Sequence, residues 1–363
     1  MDLQTLVQDK IDNLVSSGAD TGIQVAVYRK GELLVDAVAG VADLATGRPV
    51  AKDTLFYSAS TAKAATATIA NVLVDRGLLA YDQPIVELWP EFGVPGGGKE
   101  KATLRHVLTH SVGLPALPAW TTVEDLTDWS TMTTALAEAE LWWEPGAKTT
   151  YHALTFGFLI GELIRRATGK PISEVLREFV TEPLGIADDL YFGVPATELP
   201  RVAKLDGSET LPPGPFGKLM PAAVMATARF ANRADVLTAD IPSAGTLTAR
   251  GIAKLYAGML GEVDGVRLFS PARTKEITSP ALTGVDELMG NPATWTLGLP
   301  LGRLGSSATQ ARTTFGMPGT GGSAAWADTA SGVSFGLTKN RFDPSGAEAA
   351  VAIGNLVAGT TAV

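Results

Sequence analysis

The stretch that most constrains this chain is Thr54-Leu55-Phe56-Tyr57-Ser58-Ala59-Ser60-Thr61-Ala62-Lys63, which runs straight on into Ala64 to Val74. A short strand-like run turns there into a long, apolar, alanine-rich helix. Ser60 stands at the mouth of that helix and Lys63 follows three residues later, so the two share a helical face. A serine hydroxyl becomes a useful nucleophile only when a base takes its proton. A lysine buried among apolar neighbours has its pKa lowered toward that task. The helix start also supplies backbone N–H groups where an oxyanion would form. Alone, Ser-x-x-Lys is a weak signal, with about one chance match in a chain of this length. An N-cap serine followed by a solvated first-turn lysine gives the same letters. The rest of the sequence decides between the two.

At 363 residues the chain can bury a substantial core and is expected to be two-lobed. Hydrophobic residues make up 45% and charged residues 18%, a globular balance. The net charge of −9, with no basic cluster, speaks against nucleic-acid binding. There is no cysteine, so disulfides, thiolate metal sites and a cysteine nucleophile are excluded. His106 and His110 stand four apart, but no Glu follows His106 as in the His-Glu-x-x-His pattern. A core or turn role is expected for both, with no metal and no organic cofactor. Met1-Asp2-Leu3-Gln4 shows no charged-then-apolar signal pattern, and no apolar run approaches a membrane span. These features lead to the expectation of a cytoplasmic protein.

Leu3, Leu6, Val7, Ile11, Leu14 and Val15 predict an amphipathic helix ending near Gly18. Two strands are expected at 22–29 and 32–39, joined by a tight turn at Lys30-Gly31. After the Ser60 helix and its Gly77 stop come a glycine loop at 95–99, a stretch at 103–119 that fits a short helix running into a Gly-Pro turn, and a Trp-rich stretch holding Trp120, Trp129, Trp142 and Trp143. A strong helix runs through Leu159, Ile160, Leu163 and Ile164 to Gly169. Residues 187–244 are rich in Pro and Gly without a period and read as an insertion or lid. A helix follows through Leu255, Tyr256 and Leu260, then strands at 322–328 and 332–340 and a final apolar helix at 346–358. Strands at both ends and helices between predict an α/β unit from 1–60 and 245–363, with a mainly helical unit at 61–244 inserted in it. The active site is expected at their seam.

Two further groups qualify for that seam. Tyr151 stands just ahead of a helix; a phenol near an ammonium has its pKa depressed and can relay a proton. Most tyrosines are instead packed rings with a bonded hydroxyl. His152 is a polar neighbour, although adjacent side chains on an extended stretch point apart. The run Phe315-Gly316-Met317-Pro318-Gly319-Thr320-Gly321-Gly322-Ser323 lacks the Lys-Ser/Thr ending of a P-loop. It reads better as a strand edge bare of bulky side chains, where the N–H of Thr320 pairs with that of Ser60 as an oxyanion hole. A flexible turn before the next strand is the plain alternative.

Taken together, these pieces resemble the serine β-lactamase-like superfamily of class C β-lactamases, penicillin-binding DD-peptidases and carboxylesterases, most of all the family VIII esterase branch. The matching stretches are Ser60-Thr61-Ala62-Lys63, Leu108-Thr109-His110-Ser111-Val112-Gly113-Leu114-Pro115, Pro145-Gly146 ahead of Tyr151-His152-Ala153, Ile241-Pro242-Ser243-Ala244-Gly245, and Gly316 to Gly322 before Trp326-Ala327-Asp328. They span about residues 20 to 345. The resemblance implies a β-lactamase/transpeptidase-like fold of class α/β, an antiparallel sheet flanked by helices plus an all-helical lobe. It further implies Ser60 as acyl-accepting nucleophile with Lys63 and Tyr151 as acid/base partners, and the 108–115 stretch as a structural turn.

Two positions depart from the family pattern. Ala153 replaces the amide that contacts a β-lactam side chain, and Met317 stands where Lys or His is usual. Both count against β-lactamase or DD-peptidase activity. Met317, Gly319, His152 and Trp120 are the expected substrate-binding positions, and Met317 with the four tryptophans suggests an apolar acyl pocket. The functional expectation is a serine carboxylesterase acting on small or medium acyl esters. An acyltransferase exchanging esters or amides in natural-product biosynthesis, with an alcohol or amine acceptor, is the alternative. A non-catalytic binding protein of the same fold is the third reading.

Overall fold

A computed structural model describes residues 1–211, 213–343 and 346–361. Among the described residues the centre is a six-stranded sheet. Its strands in chain order are β1 (Gly22–Arg29), β2 (Glu32–Asp43), β3 (Arg48–Pro49), β4 (Thr314–Pro318), β5 (Ala324–Asp328) and β6 (Val333–Lys339). They lie in the order β4-β5-β6-β1-β2-β3, each neighbouring pair antiparallel. The helices that frame this sheet and the site are α1 (Leu3–Ser16), α2 (Lys63–Asp75), α3 (Thr155–Thr168), α4 (Ala249–Leu260) and α5 (Glu348–Thr361).

β1 shows how the pattern is read. Val25 stands opposite Ala37 of β2 and Leu337 of β6. Ile23, Val25 and Val27 share one face and pack with Val7 and Ile11 of α1 and Ile353 and Val357 of α5. Gln24 points the other way, where its Oε1 accepts from Ala249 N–H at the start of α4 at 3.0 Å. The β1–β2 turn is made by Lys30 and Gly31, both at positive φ (50° and 85°), as a two-residue hairpin requires.

α2 is buried along its length from Lys63 to Val74. Small side chains here and in the turn just before it let neighbouring backbone close in: a Cβ on Gly245 would meet Ala62 Cβ at 2.6 Å, and one on Gly298 would meet Ala67 Cβ at 2.3 Å. The alanine content of this helix is therefore a packing requirement as much as a propensity. No helix among the described residues is long and apolar enough to cross a membrane.

Two elements differ from the sequence reading. The glycine run at 315–323, read as a strand edge, begins in the edge strand β4, Thr314–Pro318, which pairs Met317 with Ala325, but no strand was expected to start before Gly322. Glycine and proline mask strand patterning. A hairpin of Leu282–Val285 and Pro292–Trp295 had no counterpart in that reading, being too short and polar to show a period. The described residues of 187–244 form two-residue strands, single turns and short helices, among them Leu190–Tyr191, Asp206–Gly207, Pro215–Lys218, Ala222–Val224, Ala228–Ala231 and Ala234–Thr238.

Candidate active site

Ser60 lies in a 3₁₀ turn, Ala59–Ala62, between the short strand Phe56–Tyr57 and α2. That strand pairs with Thr246–Leu247, and Ser58 N–H donates to Gly245 O at 2.8 Å. Ala59 sits at φ 43°, uncommon for a residue with a Cβ, and it tightens the corner that presents Ser60. From the opposite side the end of β4 comes very close. A Cβ on Gly319 would lie 2.2 Å from Ser58 O and 2.7 Å from Thr61 Oγ1, so only glycine permits this approach. It brings Thr320 into the same cavity lining as Ser60.

Lys63 Nζ is 3.1 Å from Ser60 Oγ and donates to Ser243 O at 3.0 Å. The side chain is wholly buried, and burial pushes the amine well below its ordinary pKa. Ser243 is fixed in turn: its Oγ donates to Leu154 O and accepts from Gly157 N–H, each at 2.7 Å. The Ile241–Gly245 stretch thus aligns Lys63 through a backbone carbonyl.

Tyr151 Oη donates to Ser60 Oγ at 2.7 Å, and Lys63 Nζ lies 5.0 Å from the centre of its ring. The sequence reading had an ammonium depressing the phenol. Burial instead pushes Tyr151 above its ordinary value, the Ser60 hydrogen bond opposing it more weakly. The same desolvation that acts on Tyr151 disfavours the ammonium form of Lys63.

Tyr151 is held by groups that sequence reasoning missed. Asp286, nearly buried, accepts from Thr150 Oγ1 at 2.5 Å and from Tyr151 N–H at 2.9 Å. Its Oδ1 also accepts from the Leu288 and Met289 N–H groups, at 2.9 and 2.8 Å. One carboxylate therefore clips the Tyr151 loop to the 282–295 hairpin. Trp295 from that hairpin lies parallel to the Tyr151 ring, 9° between planes and 6.4 Å between centroids. Nothing in the sequence signals a pairing across 135 residues.

Two expected substrate contacts are corrected. His152 is fully buried and absent from the cavities at Ser60. Its Nε2 accepts from Leu114 N–H at 3.2 Å, which leaves Nδ1–H to donate to Thr150 O at 2.7 Å. Burial lowers its pKa to about 4. Trp120 is 55% exposed and lines neither cavity. Trp129 Nε1 bonds Glu162 and Trp143 Nε1 bonds Ser111 O, so these tryptophans serve the helical part. His110 is a buried turn residue at φ 54°, its Nδ1 accepting from His152 N–H at 2.9 Å.

Among the described residues, two cavities open onto Ser60. One, about 520 Å³, is lined by Met317, Gly319, Asn291, Thr294, Ser323 and Leu304 among others. The other, about 530 Å³, is lined by Tyr57, Leu154, Leu211, Met220, Val224 and Met225 among others. Ser60, Tyr151, Phe216 and Thr320 border both. The N–H of Ser60 falls in the first turn of a helical stretch, where no intrahelical acceptor exists. No backbone carbonyl among the described residues accepts from Thr320 N–H. No group of three or more His, Asp or Glu among the described residues is placed to hold a metal ion. Such a constellation can take a proton from a serine, stabilise an oxyanion and return a proton to a leaving group.

The family model described as Beta-lactamase matches residues 7–358. This chain belongs to the β-lactamase family. The esterase/β-lactamase LipL of Mycobacterium tuberculosis is 35% identical to it, with 88% of this chain and 77% of LipL covered. Among solved structures, a family VIII carboxylesterase superposes with a TM-score of 0.87 at 30% identity, covering 97% of this chain and 96% of the other. A penicillin-binding protein homologue from Caulobacter crescentus reaches the same TM-score at 31% identity, covering 99% and 98%. The β-lactamase/transpeptidase-like fold expected from the sequence motifs is the fold of the chain.

Proposed function

We propose that this protein is a serine carboxylesterase working through an acyl-enzyme on Ser60. The observation that carries this reading is the convergence of Lys63 Nζ and Tyr151 Oη on one serine oxygen. Lys63, its ammonium form disfavoured by burial, takes the Ser60 proton as Oγ attacks the ester carbonyl. The N–H groups of Ser60 and Thr320 meet the oxyanion. Tyr151, kept a neutral phenol, protonates the departing alcohol and is reprotonated through Lys63. Water then enters, loses its proton along the same route and releases the acid. The division into an α/β unit and an inserted helical unit, with Ser60 at the seam, belongs to the same reading.

Ester chemistry is favoured over β-lactam chemistry by two side chains. Met317 lines the site without a charge to hold a substrate carboxylate, and Ala153 lines it without an amide. The names borne by LipL and the family VIII carboxylesterase support the same choice. The test is steady-state release of p-nitrophenol from acetate and butyrate esters, run beside a chromogenic cephalosporin, for wild type and Ser60→Ala. Ester turnover that vanishes in the variant and exceeds cephalosporin turnover is the expected result. Equal ester turnover in both proteins would overturn the reading.

A further inference from the structure

We propose that the chain carries a second ligand site, separate from the cavities at Ser60, in which the free Nε–Nη2 edge of Arg303 grips a small hydroxylated monocarboxylate. The site stands whether or not Ser60 forms an acyl-enzyme.

A cavity of about 380 Å³ lies between β5, the last turns of α5 and the 309–314 turn. It shares no lining residue with either cavity at Ser60. Arg303 and Trp326 both line it. The Arg303 guanidinium lies over the Trp326 ring, 5.0 Å from its centre, and that ring is buried and stacked on Phe335 with 20° between planes. Arg303 Nη1 donates to Leu304 O at 3.0 Å and to Asn355 Oδ1 at 2.9 Å. Two acceptors on one side and an aromatic face against the plane fix the guanidinium in orientation.

The opposite edge is left without work. Nε and Nη2 are buried, and neither has a hydrogen-bond partner among the described residues. Burial pushes the Arg303 pKa below its ordinary value, the Asp328 charge opposing it more weakly, yet an arginine stays charged in a protein. Buried donors on a charged group are costly when idle, so two on one side chain call for an acceptor. Asp328 lines the same cavity but is committed to its own turn. Its Oδ1 accepts from Ala330 N–H at 3.1 Å, and its Oδ2 from Ser331 N–H at 3.3 Å and Ser331 Oγ at 2.6 Å.

The shape of the donor pair and the rest of the lining select the ligand. Nε–H and Nη2–H run parallel, which matches the two oxygens of one carboxylate. The negative charge of Asp328 in the same lining disfavours a second anionic group, and with it dicarboxylates and doubly charged phosphate. Thr309, Gln310 and Thr313 add hydroxyl and amide groups, which suit a hydroxyl-bearing body better than a bare alkyl chain.

The test follows the Trp326 Nε1–H signal in ¹⁵N–¹H spectra of the full chain, identified by its loss in Trp326→Phe. L-Lactate, lactamide, propionate and phosphate are titrated at constant ionic strength into wild type, Arg303→Lys and Arg303→Gln. Lactate is expected to move the signal saturably in wild type, with Kd on the order of 1 mM. Propionate, lacking the hydroxyl, binds about 5-fold more weakly. Lactamide and phosphate bind at least about 20-fold more weakly. Arg303→Lys weakens lactate about 10-fold, since a point charge replaces the fork, and Arg303→Gln abolishes the shift. The ligand series in wild type needs no variant to fold. Lactamide, propionate or phosphate binding as tightly as lactate would overturn the proposal. So would a wild-type signal that no carboxylate moves, or lactate affinity unchanged in a folded Arg303→Gln.

Discussion

Two sets of buried titratable side chains flank Tyr151, and they differ in what they touch. The ring centre of Tyr151 lies 5.0 Å from Lys63 Nζ and 5.1 Å from the His110 ring. Burial disfavours the charged form of Lys63, His110 and His152 alike. Lys63, however, contacts a hydroxyl that opens onto two cavities. His152 commits both ring nitrogens to backbone groups, and His110 gives its Nδ1 to the His152 N–H. A perturbed pKa marks burial; reach to an exposed reacting atom is what separates a catalytic base from a packed one.

The sharpest way to break that comparison is to remove the amine. Lys63→Met is expected to lower kcat by about 10⁴-fold. It should leave stability at neutral pH unchanged or raised, since a buried amine opposes folding until the pH passes its unfolded value of about 10.4. In wild type, kcat/KM rises with pH on the acid side, because protonated Lys63 cannot accept the serine proton. A variant that keeps turnover would place the base elsewhere.

Tyr151→Phe is next, with kcat expected to fall about 10²- to 10³-fold and unfolding unchanged within about 1 kcal/mol. Asp286→Asn leaves the phenol in place but weakens the clip on its backbone. Kinetics should show kcat reduced about 10-fold with KM little altered.

The histidine set should respond in stability. The folded pKa of His152 is lowered to about 4 from 6.5. The folded state therefore binds fewer protons than the unfolded chain between these values. Stability present above about pH 6.5 is lost as pH falls toward about 4, on the order of 3 kcal/mol. Urea titrations of wild type and His152→Gln across pH 4 to 7 would show a shallower acid slope in the variant. An unchanged slope would remove His152 from the account. Trp120→Ala is the smallest case, expected to change unfolding by less than about 0.5 kcal/mol and turnover not at all. A clear loss of turnover there would return the exposed tryptophan to the site.

Much of this was legible in the sequence where a short-range pattern governs the outcome. Helical spacing marked α1, β-strand composition and Lys30-Gly31 marked the β1–β2 hairpin, and the Ser60-to-Lys63 interval placed hydroxyl and amine within reach of each other. The motif order singled out Tyr151, whose Oη the structure places against Ser60 Oγ. What stayed hidden depends on tertiary partners. The Asp286 clip spans 135 residues, and Trp295 lies in a four-residue strand without a period. Residues 151 and 152 occupy a loop, where no repeat fixes which side chain faces the cavity, and the expectation for His152 failed there. The four tryptophans suggested an apolar pocket by composition; the apolar lining exists, but Leu, Met and Val from a segment without a period supply it.

The central claim is that Ser60 is the acyl-accepting nucleophile, and intact-mass analysis after fluorophosphonate treatment tests it most directly. Wild type is expected to gain one phosphonyl adduct that peptide mapping places on Ser60, and Ser60→Ala to gain none. A folded wild type that stays unmodified, or an adduct that persists in Ser60→Ala, would contradict the claim.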